Sequence, residues 1–129
     1  MAKFGKRSKK NLSQCHPDIQ TLFNEVIQFV DCSVICGHRG QREQNEAFNK
    51  GFSKVRFPNS NHNKIPSLAA DVVPYPISWD NEQRFIDFGN FVLETSYRLW
   101  KEGKICHRIV WGGTWKWKDY PHFEIHQPK

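Results

Sequence analysis

The chain has 129 residues with a formal net charge of +6, and 38% of its residues are hydrophobic, including ten Phe and five Trp. That length and composition predict one domain with a single core and leave little room for a second. No apolar run approaches the ~20 residues that a bilayer-spanning helix needs, so we expect no stable membrane insertion.

The first eleven residues are strongly basic, and no apolar segment follows them. The cations here are Lys3, Lys6, Arg7, Lys9 and Lys10. We predict a flexible N-terminal tail over residues 1–11 and a single folded domain over residues 12–129. Such a tail could be attracted to nucleic acid, to anionic lipid or to the anionic groups of a bacterial envelope, or could serve only solubility, and charge alone does not choose among these.

The basic start without an apolar stretch also predicts that the chain has no secretory signal peptide and is made in the cytosol. In that reducing compartment Cys15, Cys32, Cys36 and Cys106 are expected to be free thiols. Cys32 and Cys36 lie in a segment that is typical of a strand, and no second cysteine pair follows. We therefore interpret them as packing residues rather than a zinc knuckle.

The first half of the chain predicts two helices, one strand and one long loop. In chain order these are a helix over residues 16–30, a strand over 32–36, a helix over 41–49 and a loop over 52–68. The first helix has apolar residues at helical spacing, with Pro17 suited to its first turn and Asp18 to the positive end of its dipole. Gly51 ends the second helix, and the loop shows no periodicity.

The second half predicts three more strands and the longest helix. In chain order these are a strand over residues 69–73, a helix over 78–101, a strand over 105–111, a loop over 112–118 and a strand over 122–126. Ser78 is the expected N-cap of the helix, and Gly103 ends it. Helices mixed with short strands favour an α+β fold in which helices flank a small, largely antiparallel sheet.

Two histidines and one aspartate fall on separate predicted elements. His62 lies on the long loop, Asp71 within a strand and His122 at the start of the last strand. Two His and one carboxylate complete the protein ligands of a catalytic zinc that keeps one position open. The plainer alternative is that these are ordinary histidines of the kind that is common in loops and polar interiors.

Asp119 strengthens the zinc hypothesis. It precedes His122 by three residues across Pro121, and this rigid link lets both side chains reach the same space. A carboxylate so placed is the candidate general base of a hydrolase. Glu124 and His126 share a strand face with His122, so either could compete as a metal ligand or orient a ligand through a hydrogen bond.

Three motifs occur together in this chain: Ser60-x-His62, Ala69-x-Asp71 and Asp119-x-Pro121-His122. Together they resemble the signature of the zinc D-Ala-D-Ala carboxypeptidase and L-alanyl-D-glutamate endopeptidase family, which includes VanY-type enzymes and bacteriophage endolysins. Gly37-His38-Arg39 with Gln44 and Gly51 is similar to an upstream segment of that family. The resemblance covers residues 12–126 and implies a fold like that of Hedgehog and D-Ala-D-Ala peptidase domains.

The resemblance also implies roles for individual residues. His62, Asp71 and His122 would bind Zn²⁺, and Asp119 would be the catalytic base. Arg39 would steady a substrate carboxylate or the developing oxyanion, and Gln44 would help to bind substrate. The alternative for Arg39 is an ordinary structural ion pair, and for Gln44 a helix position that faces water.

The chain departs from the family in one spacing. Eight residues separate His62 from Asp71, more than in the commoner pattern. Loops tolerate such changes, so we expect the ligand geometry to survive. We also expect the lengthened loop, residues 63–68, to border the cleft and to affect which substrates enter it.

Similarity to small members of that family implies a phage-type endolysin that cleaves peptidoglycan stem peptides. The protein would be a monomer made in the cytosol that reaches the cell wall through a membrane lesion. The sequence leaves open whether the bond is L-Ala–D-Glu or the terminal D-Ala–D-Ala of a carboxypeptidase substrate.

A hypothesis of another class is a non-catalytic module that binds cell-wall polymer or nucleic acid. It would use the basic N-terminus and the aromatic residues Trp111, Trp115 and Trp117, since cations interleaved with aromatics can hold single-stranded nucleic acid. No specific nucleic-acid motif is present. Binding alone also gives no reason for the two histidines and the aspartate.

Overall fold

The structure, a computed structural model, describes residues 2–127. Its helices are α1 (Lys6–Ser13), α2 (Pro17–Val26), α3 (Gln41–Asn49) and α4 (Glu82–Lys101), and its strands are β1 (Cys32–Cys36), β2 (Ala69–Pro74), β3 (Ile109–Trp111) and β4 (His122–Ile125). Two short 3₁₀ helices, Asn61–Asn63 and Gly112–Thr114, lie in the connecting loops. The predicted α+β class is confirmed.

The four strands form one antiparallel sheet in the order β1-β2-β4-β3. The two central strands, β2 and β4, pair so that Asp71 lies opposite His122. Because side chains alternate along a strand, Phe123 enters the core while His122 and Glu124 point to the other face. A bulge in β1 also brings Cys36 opposite Asp71. The sheet pairing therefore sets two of the predicted ligands side by side.

The hydrophobic core lies where α2 and α4 pack together against the sheet. Phe23 of α2 and Phe88 of α4 both contact Phe123 edge to face, with ring centroids 5.5 and 6.1 Å away. Each of these rings is at least 96% buried, and burying such a side chain contributes about 1.5–3 kcal/mol. The core thus holds β4 rigidly from the face opposite to His122.

The N-terminal segment differs from its prediction as a flexible tail. Residues 6–13 form α1, which packs on β1, and Phe4 and Leu12 belong to the buried core. The buried hydroxyl of Ser8 accepts a hydrogen bond from the backbone N–H of Val34 at 3.0 Å. The predicted boundary at residue 11 falls inside this helix, whose buried face carries Ser8 and Leu12.

Three predicted elements have clearly different bounds in the structure. Helix α2 ends at Val26 rather than near residue 30. Helix α4 begins at Glu82 rather than at residue 78, because the side chain of Asn81 accepts a hydrogen bond from Arg84 N–H and caps the helix. Strand β3 begins at Ile109 rather than at residue 105, and residues 105–108 form a loop. Within residues 2–127, no helix combines the length and the apolar character required to cross a membrane.

The cysteines are free thiols, as predicted, and they occupy unlike environments. Cys15 and Cys32 are buried, and burial raises the pKa of each thiol to about 12. Cys106 is exposed, whereas Cys36 is half-buried. The packing interpretation therefore fits Cys32 but not Cys36, which lies beside the candidate site.

Candidate active site

His62, Asp71 and His122 meet at one point, as the sequence predicts. Asp71 Oδ1 lies 3.4 Å from His62 Nε2 and also 3.4 Å from His122 Nδ1. The two imidazole rings are nearly perpendicular, with centroids 5.1 Å apart. Both histidine side chains are more than 90% buried. Three ligand-type side chains from the 3₁₀ helix Asn61–Asn63, β2 and β4 thus converge on one small volume.

The second nitrogen of each ring has a partner that fixes its orientation. His62 Nδ1 lies 2.8 Å from the carbonyl oxygen of Gly37, and His122 Nε2 lies 2.6 Å from Glu124 Oε1. Because these oxygens accept, each of those nitrogens donates. The nitrogens that face Asp71 then carry lone pairs in the neutral rings. Glu124 is itself held by Asn61, whose Nδ2 donates to its other oxygen at 2.9 Å.

Two of the three converging atoms lack hydrogen-bond partners. His62 Nε2 and Asp71 Oδ1 are the two buried side-chain polar atoms without a partner among residues 2–127. Buried polar atoms are nearly always paired, and an unpaired one costs about 1–3 kcal/mol. Two lone-pair-bearing atoms that face each other are stable together only with a cation or a proton between them. The donor set therefore fits a divalent metal.

The pKa values of these groups express the same need for positive charge. Burial alone would lower the pKa of His62, but the charge of Asp71 outweighs it and raises that pKa to about 10. Burial likewise opposes the charged form of His122, yet the neighbouring carboxylates of Asp71 and Glu124 raise its pKa to about 9. Burial would raise the pKa of Asp71, but the two histidines lower it. Asp71 is thus a carboxylate that draws cations towards it.

Cys36 offers an alternative third donor beside His62 and Asp71. Its Sγ lies 3.8 Å from His62 Nδ1, the nitrogen that donates to Gly37. His122 instead faces the same oxygen of Asp71 as the free His62 Nε2. The hydrogen-bonding pattern therefore favours His122 over Cys36.

Asp119 lines the same cleft as the three predicted ligands. Burial, together with the charge of Asp71, raises the pKa of its carboxyl group. Its backbone N–H donates to Gly112 O at 3.1 Å, and a Cβ at Gly112 would collide with the Asp119 carbonyl oxygen. Glycine at position 112 thus lets the segment that carries Asp119 pack tightly over the site.

Arg39 and Gln44 are hydrogen-bonded to each other beside Asp71. Arg39 Nη2 lies 3.4 Å from Asp71 Oδ2, while its Nη1 donates to Gln44 Oε1 at 3.0 Å. This is the ion pair considered above as the alternative, although Arg39 also lines the cleft. Gln44 is 0% exposed, and this burial is incompatible with its predicted contact with substrate. The arrangement indicates that Gln44 positions its neighbours.

The site opens into a cleft of about 490 Å³. One wall is formed by residues 52–55 and the other by Trp115 and Trp117. Lys54 reaches across, with Nζ 4.9 Å from the centre of the Trp117 ring. This wall could not be predicted from the sequence, because residues 52–55 carry no periodic signal and reach the cleft only through the fold.

The lengthened loop after His62 faces away from the cleft. None of residues 63–68 lines the cleft, and Ile65 instead borders a separate cavity with Gln14 and His38. The prediction that this loop borders the cleft is therefore wrong. The ligand geometry survives the added length, as expected, because Asp71 is fixed by the sheet. His126 is exposed and lies outside the cleft lining.

A second cluster of similar composition lies elsewhere in the molecule and consists of His16, Asp18 and His107. His16 is the N-cap of α2, and its Nδ1 accepts from Asp18 N–H at 3.0 Å. Asp18 Oδ2 lies 2.7 Å from His107 Nδ1. These facing atoms are thus already paired within the protein.

Comparison with known proteins gives two positive findings. The family model described as phage L-alanyl-D-glutamate peptidase matches residues 1–128. Among solved structures, the fold is similar to that of the L-Ala D-Glu endopeptidase ChiX of Serratia marcescens, with a TM-score of 0.72 and 29% sequence identity over 96% of this chain and 90% of that one. A comparison with curated proteins found no match.

Proposed function

The chain belongs to the phage L-alanyl-D-glutamate peptidase family, and from this premise we propose that it is a zinc-dependent endopeptidase of peptidoglycan stem peptides. The proposed ligands are His62, Asp71 and His122, and the proposed base is Asp119. The observation that most directly supports this proposal is a pair of buried atoms without hydrogen-bond partners, His62 Nε2 and Asp71 Oδ1, in the cleft of a peptidase fold.

Zinc suits the donor set, since two imidazoles and one carboxylate are common ligands of catalytic zinc. A bound zinc ion would supply a Lewis acid that polarises the scissile carbonyl group and lowers the pKa of a water molecule to ~7. The protein holds the donors ready for it. Gly37 O orients His62, Glu124 orients His122 and Arg39 restrains the second oxygen of Asp71.

Asp119 is proposed to handle the proton. Its carboxylate would take a proton from the attacking water and deliver it to the nitrogen of the leaving amine, so that one group acts first as base and then as acid. Because burial and Asp71 raise its pKa, protonated Asp119 forms at a higher pH than for an exposed aspartate. A raised pKa makes the carboxylate a stronger base, which favours the first step, in which Asp119 takes the proton from the attacking water.

The family and the structural neighbour favour cleavage between L-Ala and D-Glu over the D-Ala–D-Ala alternative. They also argue against a non-catalytic binding module, since both descriptions name a peptidase. Trp115 and Trp117 line the catalytic cleft rather than a separate binding surface. Action on the cell wall as a monomer, after release through a membrane lesion, is part of the proposal.

The test combines metal analysis with product identification. We expect about one zinc per wild-type chain, and release of fragments from purified peptidoglycan whose masses show a new N-terminal D-Glu. Asp119→Asn is expected to keep its zinc but to lose about 10²- to 10⁴-fold in rate, the usual contribution of a general base.

Asn90→Asp is a matched control, because it adds a carboxylate at an exposed position on α4 and should leave both readouts unchanged. Wild-type protein that binds no zinc would overturn the metal assignment. Fragments that have lost only a terminal D-Ala would overturn the bond assignment.

A further inference from the structure

The cleft contains two cationic side chains, and only one of them is free to meet a substrate. The Arg39 guanidinium is engaged by Asp71 and Gln44. Lys54 forms no ion pair within residues 2–127, and its ammonium group lies over the Trp117 ring. An ammonium held on an aromatic face keeps its hydrogen-bond donors available to an anion.

The backbone around Lys54 is anchored from inside the protein. Gln44 Nε2 donates to Ser53 Oγ at 2.8 Å and to the carbonyl oxygen of Val55 at 2.7 Å. The residues on both sides of Lys54 are thus tied to one fully buried side chain. Since Gln44 Oε1 also accepts from Arg39, the same amide connects the Lys54 wall to Asp71. The backbone of Lys54 is therefore fixed relative to the proposed metal site.

The proposed substrate supplies a matching anion. In an L-Ala–D-Glu bond the leaving amine belongs to a glutamate, which keeps one carboxylate that is not part of the peptide chain. That carboxylate lies within a few bonds of the reacting nitrogen. Among residues 2–127, Arg39 and Lys54 are the Lys and Arg side chains that line the cleft, and Lys54 is the one left free to pair with that carboxylate.

We propose that Lys54 binds the free carboxylate of the D-Glu residue and sets the preference for acidic over amidated stem peptides. This inference rests on the proposed function and assigns the leaving-group side of the cleft. A charge-assisted hydrogen bond in a partly enclosed cleft should affect turnover of the acidic peptide and spare the neutral one.

The experiment compares two synthetic stem peptides that differ in one group. One carries L-Ala–D-Glu with a free carboxylate, and the other carries the same residue as a primary amide. We expect Lys54→Met to lower kcat/KM for the acidic peptide roughly 10- to 100-fold and to change that for the amidated peptide less than about threefold. Lys54→Arg keeps the charge and should retain the preference of the wild type.

Lys50→Met is the matched control, since Lys50 is exposed and lies outside the cleft lining. Equal losses on both peptides, or no loss with Lys54→Met, would overturn the inference while leaving the peptidase assignment intact. Wild-type protein that cleaves neither peptide would instead overturn the proposed function, and this inference with it. A thermal unfolding midpoint of Lys54→Met equal to that of the wild type would show that any loss of activity does not come from misfolding.

Discussion

Residues 2–127 contain two clusters of two histidines and one aspartate. In one, Asp71 Oδ1 faces a nitrogen of His62 and a nitrogen of His122, each at 3.4 Å, and buried atoms lack partners. In the other, Asp18 Oδ2 lies within 3.1 Å of three nitrogens, namely the backbone nitrogens of Cys106 and His107 and the His107 ring nitrogen Nδ1. The residue types are the same, but atoms of the Asp71 cluster lack hydrogen-bond partners, whereas the Asp18 oxygen has three.

This difference separates a metal site from a structural link. The backbone N–H groups already direct positive charge at Asp18, so a cation there would have to displace them. The Asp18 cluster joins the start of α2 to the loop 105–108, and this link explains why β3 begins only at Ile109. In the Asp71 cluster the outer atoms of both rings are bonded and the inner atoms are left free. Unmet bonding capacity, rather than composition, identifies the proposed metal site.

The strongest test of the comparison removes one histidine from each cluster. His122→Ala should reduce bound zinc to near zero and peptidase activity by about a thousandfold or more, because several kcal/mol of transition-state stabilisation are lost with the metal. His107→Ala should keep both. Metal analysis and peptidoglycan digestion measure the two effects. Zinc lost from the His107 variant alone would reverse the assignment of the clusters.

A smaller effect is expected from the group behind the His122 ring. Glu124→Gln keeps the shape of the side chain but removes the charge that faces His122 Nε2 at 2.6 Å. Such outer partners typically contribute 10- to 100-fold in metal affinity, measurable by competition with a chelator. Glu46→Gln, on the exposed face of α3, is the control. An unchanged affinity in Glu124→Gln would show that ring orientation is set by packing alone.

The smallest effect concerns stability and belongs to the other cluster. Asp18→Ala leaves the backbone N–H groups of Cys106 and His107 without their acceptor, which should cost roughly 1–3 kcal/mol for each donor left unpaired. Denaturant unfolding measures the loss, and zinc content should not change. Asp87→Ala, at an exposed position on α4, should stay within about 0.5 kcal/mol. A loss of zinc in Asp18→Ala would contradict the structural role.

Several features could be predicted from the sequence because they depend on local patterns. The strand 32–36 and the helix 41–49 were predicted with the bounds that the structure shows. The N-terminal helix was not, because five cations mask the three inward-facing residues Phe4, Ser8 and Leu12. Residues 105–108 have a strand-like pattern but form a loop, because they are linked to Asp18, more than eighty positions away in sequence.

The sequence by itself determined which residues could form the site, since motif spacing places His62, Asp71, Asp119 and His122 on three separate elements. Only the tertiary structure decided which atoms remain unpaired there, that Gln44 is a buried anchor and that Lys54 enters the cleft. The physical reason is that side-chain chemistry is fixed by residue type, whereas hydrogen-bond satisfaction and burial depend on partners that are distant in the chain.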